Sequence, residues 1–137
     1  MPQLGIWSPK IINTLGEEIL DAFRADITIK NLIKRYFFNR FEPGEKSWFA
    51  GIFLGFDGFW FRNLNGFDEN FFMYVEDCDI CQRSNALGGK LVHSEYAAIH
   101  DERRHSLVRG IHFRWHIKSL FYYLIVKKLK KVGAPNR

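Results

Sequence analysis

The chain has 137 residues, enough for one domain with a buried core, and its 47% hydrophobic and 17% aromatic content excludes a disordered polypeptide. Two cysteines three positions apart exclude a disulfide framework and point to a reducing compartment. The net charge of +5 is divided: residues 1–102 hold all fifteen acids and ten Lys/Arg, whereas residues 103–137 hold ten Lys/Arg and no acid, which points to an anionic partner such as lipid headgroups, phosphates or nucleic acid, the alternative being a solvated helix face.

The start, MPQLGIWSPK, lacks a charged region followed by an apolar run, and no secretory signal is expected. LGIWSPKII (4–12) is apolar and β-branched around Pro9, which predicts an edge strand or a strand that ends there. TLGEEILDAF (14–23) fits either a helix with a Thr14/Glu17 capping box or a turn at Gly16 before a second strand. IKNLIKRYFFNRF (29–41) has Ile29, Leu32, Ile33 and Tyr36 at helical spacing, and FEPGEK (41–46) reads as a loop.

Residues 48–74 read as aromatic strands broken by Gly51, Gly55, Gly58 and Gly66, with a turn at Asn65-Gly66. Fourteen phenylalanines in the chain imply a core or groove built from rings. EDCDICQRSNALGG (76–89) predicts a helix with acids in its first turn, where the macrodipole favours them, and Gly88-Gly89 closing its end. LVHSEYAAI (91–99) predicts a strand and HDERRHS (100–106) a polar loop. HFRWHIKSLFYYLIVKKLKK (112–131) is helical by pattern, and its seven-residue apolar centre is too short to span a bilayer, which takes roughly twenty. Aromatics beside Lys127, Lys128, Lys130 and Lys131 suit a basic amphipathic helix in a membrane interface, or one docked with its charged end free. The expected fold class is α/β, with 112–137 as a C-terminal helix and tail behind a domain at 1–111.

Two chemistries compete at Glu76–Cys81. Cys78 and Cys81 have the spacing of a dithiol or zinc pair. Redox chemistry conflicts with Glu76, Asp77 and Asp79 nearby, which disfavour a thiolate. For zinc, eleven residues separate Cys81 from His93 and six separate His93 from His100, near the finger pattern of about twelve and three to five, but His93 falls on a predicted strand. Alternatively, the acids cap a helix start, or present one carboxylate at a cleft where it can take a hydroxyl proton.

GFDENFFMYVEDCDICQR (66–83) resembles the GGFDE-x-FF-x-Y-x-ED-x-DLC-x-R segment of family-2 glycosyltransferases, in particular bacterial rhamnosyltransferase-like members. Upstream, LGIWSPKIINTLGE is similar to their "GivgPkii…dG" stretch, and Gly51 with Arg62 falls in the approach to GGFDE. Downstream, GGKLVHSEYAAIHD is similar to the segment ending in histidine. Asn65 departs from the first glycine of the motif, and His93-Ser94 stands where a proline is common.

The resemblance implies a partial GT-A-type α/β sandwich, its acceptor-side half. It implies an inverting displacement from a nucleotide-sugar donor to a saccharide or lipid-linked acceptor in bacterial surface polysaccharide synthesis, in the cytoplasm or at the inner face of the membrane. Asp77 matches the general base, Glu76 and Asp79 match acids that shape the acceptor site, and His100 matches a histidine that helps bind a divalent metal, Mn or Mg, at the donor diphosphate. Rhamnose is a leaning of the family; no residue here reads a 6-deoxy sugar. The nucleotide-binding half with its metal-binding D-x-D is not recognisable in residues 1–47, so little activity is expected of the chain alone, and self-association or pairing with a missing N-terminal half is expected. The alternative is a non-enzymatic module that binds a membrane or nucleic acid through its basic tail and contains zinc; nucleic acid is not expected under the transferase reading.

Overall fold

The computed structural model describes residues 5–38, 46–101 and 109–127. The expected loop at 41–46 lies outside them but for Lys46, as do most of the loop at 100–106 and residues 128–131 of the tail helix. The described chain is mixed α/β, with two small sheets and four α-helices.

Strand β1 (Gly5–Ile12) is the middle of a three-stranded sheet, flanked by antiparallel β4 (Gly55–Phe56) and parallel β5 (Lys90–Ile99). The expectation of an edge strand is therefore corrected. Proline lacks the N–H a central ladder needs, and the sheet accommodates Pro9 by shifting register between Ser8 and Lys10, where β5 carries two extra residues. The inside-outside alternation slips at the same place: Ile6 and Ser8 point inward before it, Pro9 and Ile11 after it.

Residues 14–23 form no capped helix. Asn13 closes a turn instead, its Oδ1 accepting from the N–H groups of Leu15 and Glu17, both at 2.9 Å, and Gly16 supplies the left-handed residue at φ +83°. A single 3-10 turn (Leu20–Ala22) leads into β2 (Phe23–Ala25), antiparallel to β3 (Lys46–Phe49). Helix α1 (Ile29–Phe38) starts where Thr28 Oγ1 accepts from Asn31 N at 3.1 Å.

Two departures from the expected aromatic strands matter more. Residues 58–63 form helix α2 (Gly58–Asn63), nucleated by Asp57, whose Oδ1 accepts from Phe59 N and Trp60 N at 2.9 and 3.2 Å. Residues 66–75 are irregular, after a turn in which Asn65 and Gly66 both have positive φ, 57° and 64°. Side chains from elsewhere hold this segment. Arg83 Nη2 donates to Gly66 O at 2.8 Å, its Nη1 donates to Leu64 O, and Ser119 Oγ donates to Met73 O at 2.7 Å.

Helix α3 (Glu76–Ala86) runs through the core, burying Cys78, Asp79, Ile80, Cys81 and Ser84. Gly88, at φ +80°, turns the chain out, and Gly89 N returns a bond to Ser84 O at 2.9 Å. The core joins Ile6 of β1, Trp48 and Phe49 of β3, Trp60 of α2 and the inner face of α3. Helix α4 (Arg109–Phe121) adds Leu120, and a π-helical turn (Tyr122–Lys127) continues it. The wider π turn keeps consecutive rings near one another, so Tyr122 and Tyr123 both meet Phe71, at 5.1 and 6.5 Å between centroids. Among the described residues, no helix is long and apolar enough to cross a membrane.

Candidate active site

Strand β3 ends at the buried Phe49, and the chain leaves the core through Ala50 to Gly51. From the other side, α3 begins at Glu76 after Tyr74 and Val75, both left-handed at φ 69° and 73°. A β-branched residue is costly there, by roughly 1–3 kcal/mol, and Val75 is nevertheless 4% exposed and packed in the core. The burial of that side chain fixes the direction in which the first turn of α3 presents its acids.

Gly51 and Asp77 meet where these two approaches converge. Gly51 N donates to Asp77 Oδ2 at 2.8 Å, and Cys78 N donates to Asp77 Oδ1 at 2.8 Å. Each carboxylate oxygen keeps a lone pair for another donor. Burial raises the Asp77 pKa above the usual carboxylate value; the two N–H groups and the Arg24 charge oppose that rise without cancelling it.

A cleft of about 560 Å³ opens over Asp77, within the usual range for small-molecule sites. Glu76 and Asp77 supply its acids, and Ile52, Phe53, Leu54, Phe56, Phe61 and Phe67 its apolar wall. Phe56, Phe61 and Phe67 pack edge to face at 5.1 to 6.1 Å, and Trp7 braces Phe53 at 5.5 Å. Glu76 Oε2 is buried and has no hydrogen-bond partner among the described residues. Burial raises the pKa of Glu76, and the neighbouring Asp77 charge adds to that. An orphaned buried acceptor at a cleft floor suits a ligand hydroxyl that would satisfy it.

The other expected site residues lie elsewhere. Asp79 is 1% exposed and turned into the protein, bound by Arg83 Nε at 2.8 Å and by Lys127 Nζ; it does not line the cleft. Lys127 also reaches Asp68 at 3.1 Å, which ties the π turn to the 66–75 segment. His100 stands at the end of β5, its N–H donating to Ile12 O at 2.9 Å, and it does not line the cleft either. Among the described residues no three His, Cys, Asp or Glu side chains converge on a point that could hold a metal ion. The described residues thus do not by themselves form a divalent-metal site, and no chemical step is derived through one.

The zinc quartet is not assembled. Cys78 and Cys81 are both free and 0% exposed, inside the core, and the His93 ring packs against Phe23 and Phe49 at 5.2 and 4.9 Å. Burial is the chief reason that both thiols titrate high, Cys81 pushed up to about 12 and Cys78 higher still. Both act as small core hydrophobes. The expected result is that a disulfide reagent such as DTNB modifies neither thiol until the protein unfolds; fast labelling of either in the native state would contradict their placement.

Sequence reasoning missed the role of Gly51 as the donor that aims Asp77, and the membership of the aromatic wall. The density of rings at 53–61 was the available signal, but β-propensity hid the helix that arranges them.

Over part of its length the chain is similar to known rhamnosyltransferases. It is 39% identical over 88 residues to the rhamnosyltransferase WbbL of Escherichia coli K12, covering 61% of this chain and 32% of the relative. It is 33% identical over 102 residues to an N-acetylglucosaminyl-diphospho-decaprenol L-rhamnosyltransferase of Mycobacterium tuberculosis, covering 72% of this chain and 33% of the relative. The chain therefore spans about a third of the length of the curated relatives it matches. No protein-family model matches the chain, and no solved structure matches it significantly.

Proposed function

We propose that this chain is the acceptor-side, base-carrying part of an inverting glycosyltransferase of the rhamnosyltransferase type, acting on the cytoplasmic side in polysaccharide synthesis. The observation that carries the proposal is the Asp77 carboxylate, aimed by Gly51 N–H and Cys78 N–H at the floor of an aromatic-walled cleft. The similarity to rhamnosyltransferases supports the choice of reaction, and the M. tuberculosis relative, whose name specifies a decaprenyl-linked acceptor, supports a lipid-linked saccharide.

In this mechanism an acceptor hydroxyl enters the cleft and donates to Asp77. As the acceptor oxygen bonds to the anomeric carbon, its proton moves to the carboxylate, and the bond from that carbon to the nucleoside diphosphate breaks on the opposite face. The incoming and departing oxygens lie on opposite sides, so the configuration inverts. The free Oε2 of Glu76 accepts from a second acceptor hydroxyl and holds the sugar in line. Binding of the nucleotide-sugar donor, and of a divalent cation at its diphosphate, falls to groups other than the cleft residues.

A titration of isotope-labelled protein tests this reading. A short-chain N-acetylglucosaminyl-diphospho-prenol should shift the amides of Gly51, Glu76 and Asp77. UDP or dTDP with manganese should leave them in place. Shifts confined to other surfaces on adding the acceptor analogue would overturn the assignment of the cleft.

A further inference from the structure

Helix α4 turns Ser119 and Leu120 to the core and leaves a neighbouring row of apolar side chains exposed. Ser119 and Leu120 are buried, and His112 reaches inward so that its Nδ1 pairs with the Tyr74 hydroxyl at 2.9 Å. Beside the buried stripe Phe113 is 58% exposed, Ile117 48% and Phe121 60%, four residues apart and so in one row along the helix. Arg114 and Lys118, also exposed, follow two of them by one position and form a parallel basic row. Ile125 of the π turn is 42% exposed. A row of exposed apolar side chains of this kind marks a contact surface.

We propose that this outer face of α4 docks on the surface of an anionic lipid bilayer. Charge complementarity selects that occupant. Arg114 and Lys118 are exposed beside the apolar row, so a second copy docked face to face would set one pair of cations against another. Phosphates of nucleic acid would satisfy the cations but leave the phenylalanine row in water. A bilayer takes both rows: the apolar side chains enter the headgroup boundary while Arg114 and Lys118 meet lipid phosphates. The helix thus lies on the membrane and does not cross it.

The proposal stands on the helix face and does not need the transferase reading. Where both hold, Ser119 and His112 connect the docked helix to Met73 and Tyr74, three and two residues before Glu76, so a lipid-linked acceptor is met at the surface that carries it.

Vesicle flotation of the full chain tests the docking. The protein should float with vesicles of phosphatidylglycerol and phosphatidylcholine, and at least about tenfold more weakly with phosphatidylcholine alone. The triple variant Phe113→Ser/Ile117→Ser/Phe121→Ser keeps the net charge and changes exposed positions only. It should keep its circular dichroism and lose at least about tenfold in affinity for the anionic vesicles. Three outcomes would overturn the proposal: wild-type protein that floats with neither vesicle; a serine variant that floats as well as wild type, since the lysines alone would then account for binding; or a row whose loss abolishes a concentration-dependent dimer or an acidic protein complex and leaves flotation unchanged.

Discussion

Asp77→Asn is expected to lower transferase turnover by about 10²–10⁴-fold, the usual contribution of a general base, in any assembly of this chain that transfers sugar from a nucleotide donor. The amide keeps one oxygen to accept from Gly51 N–H, so the cleft keeps its shape while the proton acceptor is lost. The change to the fold is small. It forfeits one hydrogen bond, about 1 kcal/mol, and relieves the burial of a charge. The pH dependence carries the same signature. Because burial raises the folded pKa of Asp77 above its ordinary 3.8, the deprotonated, active form is lost as pH falls through that raised value. The acid limb of the rate therefore lies above the range of an exposed aspartate. Linkage runs the other way for stability. The contribution of this carboxyl to folding is fully present below its unfolded pKa and is lost as pH rises through the folded one. A transfer assay against pH, with circular dichroism as the fold control, checks both; retained turnover in the asparagine variant sinks the assignment.

Asp79→Ala is expected to cost about 3–5 kcal/mol of stability, the range for removing one partner of a buried ion pair. Asp79 is 1% exposed, and its two oxygens are taken by Arg83 and Lys127, whose side chains are 23% and 20% exposed. Removing the carboxylate leaves Arg83 without its acid and Lys127 with Asp68 alone at the base of the 66–75 segment. Lys127→Met should cost less, because Asp79 keeps Arg83. Urea unfolding of the two variants gives the comparison. An Asp79→Ala loss below about 1 kcal/mol would mean that water already screens the network.

Much of this was legible in the sequence where one residue type decides the outcome. The acids at Glu76–Asp79 announced the start of α3, and Gly88 its end. The turn at Asn65-Gly66 and strand β5 were equally plain. The rest was decided by tertiary contacts. Pro9 argued for an edge, but a register shift let it into the sheet centre. The rings of 58–63 suit a strand by propensity, yet the Asp57 cap and the bond from Trp60 Nε1 to Ser84 Oγ at 3.0 Å make a helix of them. No local signal requires Val75 to be left-handed; its burial does. Within the acid cluster, sequence spacing could not separate Asp77, at the cleft, from Asp79, in the core. Residues two apart on a helix point to different sides, and which side faces the cleft depends on where Gly51 lies.

The bond from Lys127 to Asp79 spans 48 residues of chain and runs backward, from the end of the described fold to its centre. During synthesis the helix that carries Asp77 is thus made well before the cation that completes the Asp79 ion pair. The segment before Glu76 waits likewise for Ser119 and His112. A nascent chain stopped after β5 holds every residue of the cleft and lacks the latch beneath it. The cleft residues are therefore all present before the contacts that brace them from α4 and the π turn can form.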